Sequence, residues 1–589
     1  PRSEPEPVPD IETGSGTGIR SARRQPRLSV VLTRQPQDRE RRRPQEEGRT
    51  ASVSVASDSQ VSKDGASSMS TQREAAYNEF CAAIGEANVF RDERVAPYAV
   101  ATFPTRQSIC FVLRPGNRDE VAECVNIARA QGLPLYPISR GRNWGFGSRV
   151  PPRDGCAVLD LSRMNRILET NEELAYVVIE PGVTFAQLHE HLLSTSSRLV
   201  VSATGAPADS SILGNALERG IGRGPYGDRL DAICNFEVVL PNGEILVTGY
   251  ERFANAKTAR LARSAPGPYM DGLFTQSGFG IVTRMTVWLA PRASHLQTFF
   301  YRVDEADKLV PLVDALRELR LDGILRTPFL LGNDYRFLSF GAQYPWALTG
   351  DKTPLPVDAL SAMKAQAKLG AWMGEGALYS NSAEHAEADR KYVQRVLGPI
   401  VDVLEFWDEA RAKSDEPSVL LPHRSMAWDG NPHRGASIEK SAWVTYWRKR
   451  ALPPSSMDPD RDRCGVIWFT PALPARGQDA RELTDLYAEI ALKHGYEPNM
   501  GLLFATPRCV YMTGALLYDR DIDGEDERAM ACYEELFARV SSAGYYPYRV
   551  ALPSMKALDQ GSVYDNVLAT LKSALDPDGI IAPGRYGRS

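Results

Sequence analysis

Pro137-Ile138-Ser139-Arg140-Gly141-Arg142-Asn143-Trp144-Gly145-Phe146-Gly147 packs three glycines and two arginines into one short stretch. Upstream, the apolar spacing predicts an amphipathic helix over 120–130. Gly132-Leu133-Pro134-Leu135-Tyr136 then supplies a turn and the start of a short apolar strand that runs into the glycines. Glycines let backbone N–H groups come close to an anion, and the flanking guanidiniums add positive charge, so a pyrophosphate would fit. Alone, a glycine-rich turn after a strand is more often a plain turn than an anion cradle.

Farther along the chain, the pattern predicts strands over 157–161, 175–180, 237–240 and 281–289, with a helix over 185–193. This mixture indicates an α+β fold. Glu180-Pro181-Gly182-Val183-Thr184 reads as a tight turn. Ser211-Ile212-Leu213-Gly214-Asn215-Ala216-Leu217-Glu218-Arg219-Gly220 and Gly224-Pro225-Tyr226-Gly227-Asp228 combine small residues with hydrogen-bond donors, which leaves room for a flat ring. There is no Walker phosphate loop and no G-x-G-x-x-G turn with the matching downstream acid, which disfavours a nicotinamide cofactor.

The chain has 589 residues, too many for one ordinary core. Residues 1–68, with the basic run Arg39-Glu40-Arg41-Arg42-Arg43, lack apolar periodicity and read as a disordered tail, a targeting leader or sequence upstream of Met69. Globular text follows over 69–290. Over 291–544, helices are predicted at 306–319 and 480–494 and a strand at 466–470, and 545–589 closes the chain. A net charge of -5 gives no broad attraction to nucleic acid. No apolar run approaches the ~20 residues of a bilayer-spanning helix, so no membrane role is expected. The 8 cysteines form no CxxC pair, which points to reduced thiols and a cytoplasmic protein. His189-Glu190-His191 does not present both imidazoles on one face, so no metal site is expected.

Taken with Gly267-Pro268-Tyr269-Met270-Asp271-Gly272-Leu273-Phe274-Thr275-Gln276-Ser277-Gly278-Phe279-Gly280-Ile281-Val282-Thr283 and the closing Ala582-Pro583-Gly584-Arg585, these motifs resemble the vanillyl-alcohol oxidase and 4-cresol dehydrogenase family. The match runs in order from about residue 100 to 587. The resemblance implies a two-part FAD-binding domain, 69–290 plus the C-terminal 545–589, with an inserted α+β substrate or cap domain over 291–544. It assigns FAD contacts to Pro137, Ile138, Ser139, Arg140, Gly141, Arg142, Asn143, Gly147, Ser211, Gly214, Asn215, Tyr226, Gly227, Gly280, Ile281, Val282 and Arg585.

In that family a 4-alkylphenol binds as phenolate, a hydride leaves its benzylic carbon for flavin N5, and water adds to the quinone methide. Tyr548 and Arg549 match the pair that holds the phenolate, Tyr511 falls on a histidine near the substrate, and Asp209 is the carboxylate available beside N5. A second phenolate-binding tyrosine is replaced by Phe146, which donates no hydrogen bond. The histidine that carries the covalent flavin link falls on Val466, so the resemblance implies a non-covalent FAD unless Tyr446 forms an ether. The implied partners are a small aromatic substrate, oxygen or an electron-accepting protein, and a second copy in a homodimer. Two rival readings are an oxidase of a sugar or hydroxy acid, and a flavin-binding partner protein whose chemistry has decayed.

Overall fold

The computed structural model describes residues 58–414, 416–420, 431–435 and 439–587. Most of the expected N-terminal tail, 1–57, lies outside them. The chain divides into two units, 1–64 and 65–589, and the sheets and cavities all belong to the second. The helix Asp58–Ile84 runs through the boundary expected at 68.

A four-stranded sheet comes first, in the order Val89–Phe90, Ile109–Leu113, Cys156–Asp160, Leu135–Ile138. Its last three strands are parallel. Cys156–Asp160 is buried along its whole length, as a parallel strand covered on both faces requires. The crossover helix Arg118–Ala130 starts where the Asn117 side chain accepts from the Glu120 N–H. Its buried Val121, Cys124, Val125 and Ala128 recur at helical spacing on one face.

A five-stranded antiparallel sheet comes next, ordered Ile245–Val247, Ile233–Val239, Ile281–Trp288, Tyr176–Ile179, Ile167–Asn171. Ile233–Val239 begins earlier than the 237–240 read from sequence. Asn235 sits at φ 53 and the register slips between Cys234 and Glu237, so a bulge breaks the alternation that would have revealed the first half.

The third sheet is seven-stranded and antiparallel: Val403–Trp407, His295–Val303, Trp372–Ser380, Leu330–Asn333, Gly501–Leu503, Cys509–Met512, Ala472–Pro474. The helices Leu309–Leu321, Gly477–Lys493 and Glu525–Ser542 share one buried core with it, through residues such as Leu316, Leu483, Tyr533 and Leu536. The chain then returns to the first sheet. The Leu135 N–H donates to the Ile580 carbonyl at 2.7 Å, and the Ala582 N–H donates to the Leu135 carbonyl at 2.7 Å. The C-terminal segment therefore lies along the strand that leads into the glycine-rich turn. The expected arrangement holds: a two-part N- and C-terminal body with an α+β region inserted.

Candidate active site

A cavity of about 360 Å³ lies where the glycine-rich turn, the 204–221 segment, the 274–282 segment, the seven-stranded sheet and the C-terminal segment meet. Strand Leu135–Ile138 delivers the turn. Gly141 and Gly145 hold φ +67 and +77, and a Cβ on Gly145 would lie 2.1 Å from Trp468 Cδ1, so this approach needs glycine. The turn is pinned from outside by Asp460, whose carboxylate accepts from Trp144 Nε1 at 3.1 Å and from Ser148 Oγ at 2.7 Å. Burial pushes that carboxyl up to about 7. Sequence reading missed Asp460, which carries no motif and acts across a gap of more than 300 residues.

On the facing segment, Ser211 caps the helix Ile212–Leu217. Its Oγ accepts from the Gly214 N–H at 2.8 Å and donates to the Pro181 carbonyl at 2.6 Å. A Cβ on Gly214 would meet Ser139 Oγ at 2.9 Å, so the two cradle segments touch there through glycine. Four buried polar atoms of cavity-lining residues, Ser210 Oγ, Ser277 Oγ, Arg336 Nε and Arg549 Nε, have no protein partner. Arg140 forms no ion pair among the described residues, and its one hydrogen bond, from Nε to the Asp209 carbonyl, is long at 3.4 Å. Donors without partners, free positive charge and a wall of small residues together fit FAD.

At the C-terminal side stands a charged cluster. Arg549 lies over the Phe146 ring at 4.1 Å and donates to Asn143 Oδ1 at 2.7 Å. It also comes within 3.7 Å of Glu218. Arg585 pairs with the same Glu218 and donates to Tyr136 Oη at 2.5 Å. Burial would raise the Glu218 carboxyl, but Arg585 and Arg549 outweigh it and hold it below its ordinary value. Phe146, which lacks the expected hydroxyl, thus supports Arg549 through its ring face. Tyr548 is fixed through its backbone: its N–H donates to the Thr470 carbonyl at 3.1 Å, and its carbonyl accepts from Gln276 Nε2 at 3.1 Å. Burial raises its phenol above the ordinary value, with Arg549 opposing.

Of the expected cofactor contacts, Pro137 through Asn143, Ser211, Gly214, Asn215, Gly280, Ile281, Val282 and Arg585 line the cavity, as do Tyr548 and Arg549. Four expected residues do not, and nor does Tyr511. Gly147, at φ +131, packs on Leu552. Tyr226 is 48% exposed, and Gly227 abuts the Gly222 carbonyl and Pro328. The Asp209 carboxylate is drawn into an ion pair with Arg142 at 2.7 Å. Tyr511 lines a neighbouring cavity of about 610 Å³, where its ring stacks on Tyr548 with centroids 4.1 Å apart. Neither Val466 nor Tyr446 reaches the cavity: Val466 packs with Trp447 and Leu517, and Tyr446 donates to Asp462 at 2.5 Å. Glu218 and the cap-side Leu330, Arg336, Leu503 and Thr513 were not marked by sequence reading, because only tertiary folding gathers them. Among the described residues no cluster of metal-binding side chains occurs, and no helix is long and apolar enough to cross a membrane. The eight cysteines are unpaired.

Comparison with known proteins supports an FAD-binding fold. A family model described as an FAD binding domain matches residues 110–249. The chain is 46% identical over 530 residues to 1'-carboxy-chondrochloren decarboxylase of Chondromyces crocatus, covering 88% of this chain and 98% of that protein. It is 28% identical over 521 residues to the 4-cresol dehydrogenase flavoprotein subunit of Pseudomonas putida, covering 87% and 95%. The structure of p-cresol methylhydroxylase with substrate bound superposes with a TM-score of 0.80 at 27% identity, covering 88% and 97%.

Proposed function

The chain belongs to the FAD-linked oxidoreductase family of vanillyl-alcohol oxidase and 4-cresol dehydrogenase, and on that basis we propose that it oxidises a para-substituted phenol at the carbon next to the ring. FAD supplies the hydride acceptor when bound. The turn 137–143, Ser211, Gly214, Asn215, the 280–282 backbone and Arg585 would hold it. The binding is non-covalent in this reading, since no histidine or cysteine lines the cavity among the described residues and both Val466 and Tyr446, the expected linkage positions, lie away from it.

The single observation that carries the proposal is the Tyr548–Arg549 pair on the cavity wall, with a guanidinium nitrogen left unpartnered. A phenol of ordinary pKa ~10 is ionised near neutral pH only if donors and positive charge surround its oxygen. Arg549 supplies the charge and Tyr548 a hydroxyl. Phe146 and Asn143 fix the guanidinium, while Glu218 balances it, shared with Arg585. Ionisation pushes electron density toward the para carbon, which lets hydride depart. Trp468, Leu330 and Leu503 furnish the apolar wall for the ring. Asp209 and Tyr511 act in this proposal through neighbours, Asp209 by holding Arg142 and Tyr511 by backing Tyr548.

The test is anaerobic mixing of holoenzyme with 4-alkylphenols, with a sugar alcohol and a 2-hydroxy acid as controls. Bleaching of the flavin band by the phenols alone is expected; bleaching by the controls and not the phenols would overturn the reading. A second reading, in which a carboxyl group is lost during oxidation, draws on the decarboxylase relative and on the cation Arg336 in the cavity wall. Carbon dioxide measured in the same assay with a carboxylated phenol separates the two.

A further inference from the structure

Arg336 lies in the helix Asp334–Gly341, just after the strand Leu330–Asn333 of the seven-stranded sheet, and its side chain helps to line the cavity. It is 7% exposed. One nitrogen donates to Asn499 Oδ1 at 3.1 Å, and the guanidinium stands 5.0 Å over Trp468 and 5.3 Å over Phe340. Its Nε is buried with no partner, and no carboxylate comes within ion-pair distance among the described residues. Burial, together with the nearby charge of Arg223, lowers its pKa to about 10, which still leaves it a cation.

Arg223 lines the same cavity and has one counterion, Glu375, at 2.6 Å. Glu375 thus balances Arg223 alone, and the charge of Arg336 on the cavity wall is left without a counterion. A buried cation without a counterion is costly, and a ligand that supplies the missing anion relieves the cost. Arg140 and the backbone donors of the glycine-rich turn would hold the pyrophosphate of FAD. Arg336 belongs to the other wall, beside Trp468 and Leu330.

We propose that Arg336, backed by Arg223, forms a carboxylate-binding subsite in the substrate part of the cavity. The substrate is then an aromatic compound with an anionic side chain. That the aromatic end is a phenol rests on the function proposed above. The planar fork of Arg336, standing beside the Trp468 ring, suits a carboxylate better than a neutral group.

The test titrates holoenzyme with 3-(4-hydroxyphenyl)propanoate and with uncharged 4-propylphenol, read by perturbation of the flavin spectrum. The acid is expected to bind about tenfold or more tightly, the range of a charge-assisted contact. Arg336→Met should abolish that preference, Arg336→Lys should keep part of it, and all variants should retain FAD. Arg223→Gln should weaken the preference, which keeps the idea testable if Arg336→Met does not fold. Equal binding of the two ligands, a preference that survives in Arg336→Met, an undiminished preference in Arg223→Gln, or loss of FAD in a folded Arg336→Met would each overturn the subsite. If the acid binds preferentially yet neither phenol reduces the flavin, the subsite stands and the phenol-oxidation reading falls.

Discussion

Arg549 makes different contacts with three groups: a ring below, an amide at its edge and a carboxylate beside it. Its positive charge is what would stabilise a substrate phenolate, so removing it raises the substrate's pKa in the site. Arg549→Gln is expected to lower the rate of flavin reduction by a phenol about 100-fold at neutral pH, the scale seen when one preorganised donor to a developing anion is removed. The loss should shrink as pH rises, with Arg549→Lys intermediate; a stopped-flow pH series measures it, and a pH-independent deficit would argue for mere misfolding. The Tyr-Arg pair was marked by its place in the family register, since the dipeptide alone reads as a strand tyrosine beside a surface arginine. Glu218 could not be found from sequence, because its meaning comes from Arg585 and Arg549, which lie more than 300 residues downstream. Asp209 was marked by the family resemblance, and nothing in its local sequence signals that Arg142 would capture it.

Among the elements, the glycine-rich turn depends on one buried acid. Asp460 is raised to about 7 in the folded chain, well above its ordinary carboxyl value, so the folded state holds a proton that the unfolded state has released. Stability from this group is therefore greatest at low pH and declines as pH climbs from about 4 through 7. Asp460→Asn should cancel that decline: relative to the parent, the variant's melting temperature rises between pH 5 and pH 8. Calorimetry across that range checks it, and a constant offset would show that Asp460 does not titrate there. The helices at 118–130 and 185–194 were legible because their buried faces recur with helical period. The helix expected over 306–319 instead opens with the short 3-10 turn Ala306–Lys308 before Leu309–Leu321, with Pro311 tolerated in the first turn. Much of the seven-stranded sheet stayed hidden. Leu330–Asn333 and Gly501–Leu503 are only four and three residues long and buried throughout, so they show no alternation to read.

For the molecule as a whole, the cofactor cradle is discontinuous in the chain. Asp576 accepts from the Ile580 and Ile581 N–H groups at 2.9 and 2.8 Å, which shapes the segment lying along Leu135 and carrying Arg585 into the cavity. Ending the chain at Leu575 deletes that segment, frees Glu218 of one cation and uncovers the edge of the parallel sheet. The truncated protein is expected to purify without the yellow colour and to take up added FAD at least about tenfold more weakly, consistent with losing a buried charge-assisted contact. Absorbance and fluorescence titration test this, and retention of full flavin content would contradict it. The two-part plan was legible because both halves carry turn motifs in order, whereas the long inserted region offered few such marks.

Since the strand Leu135–Ile138 is completed only by residues 580–582, the ribosome must have delivered those residues before this side of the cradle can form. Tight cofactor capture is thus expected late in synthesis, and a chain that stops short of residue 580 would hold FAD only weakly.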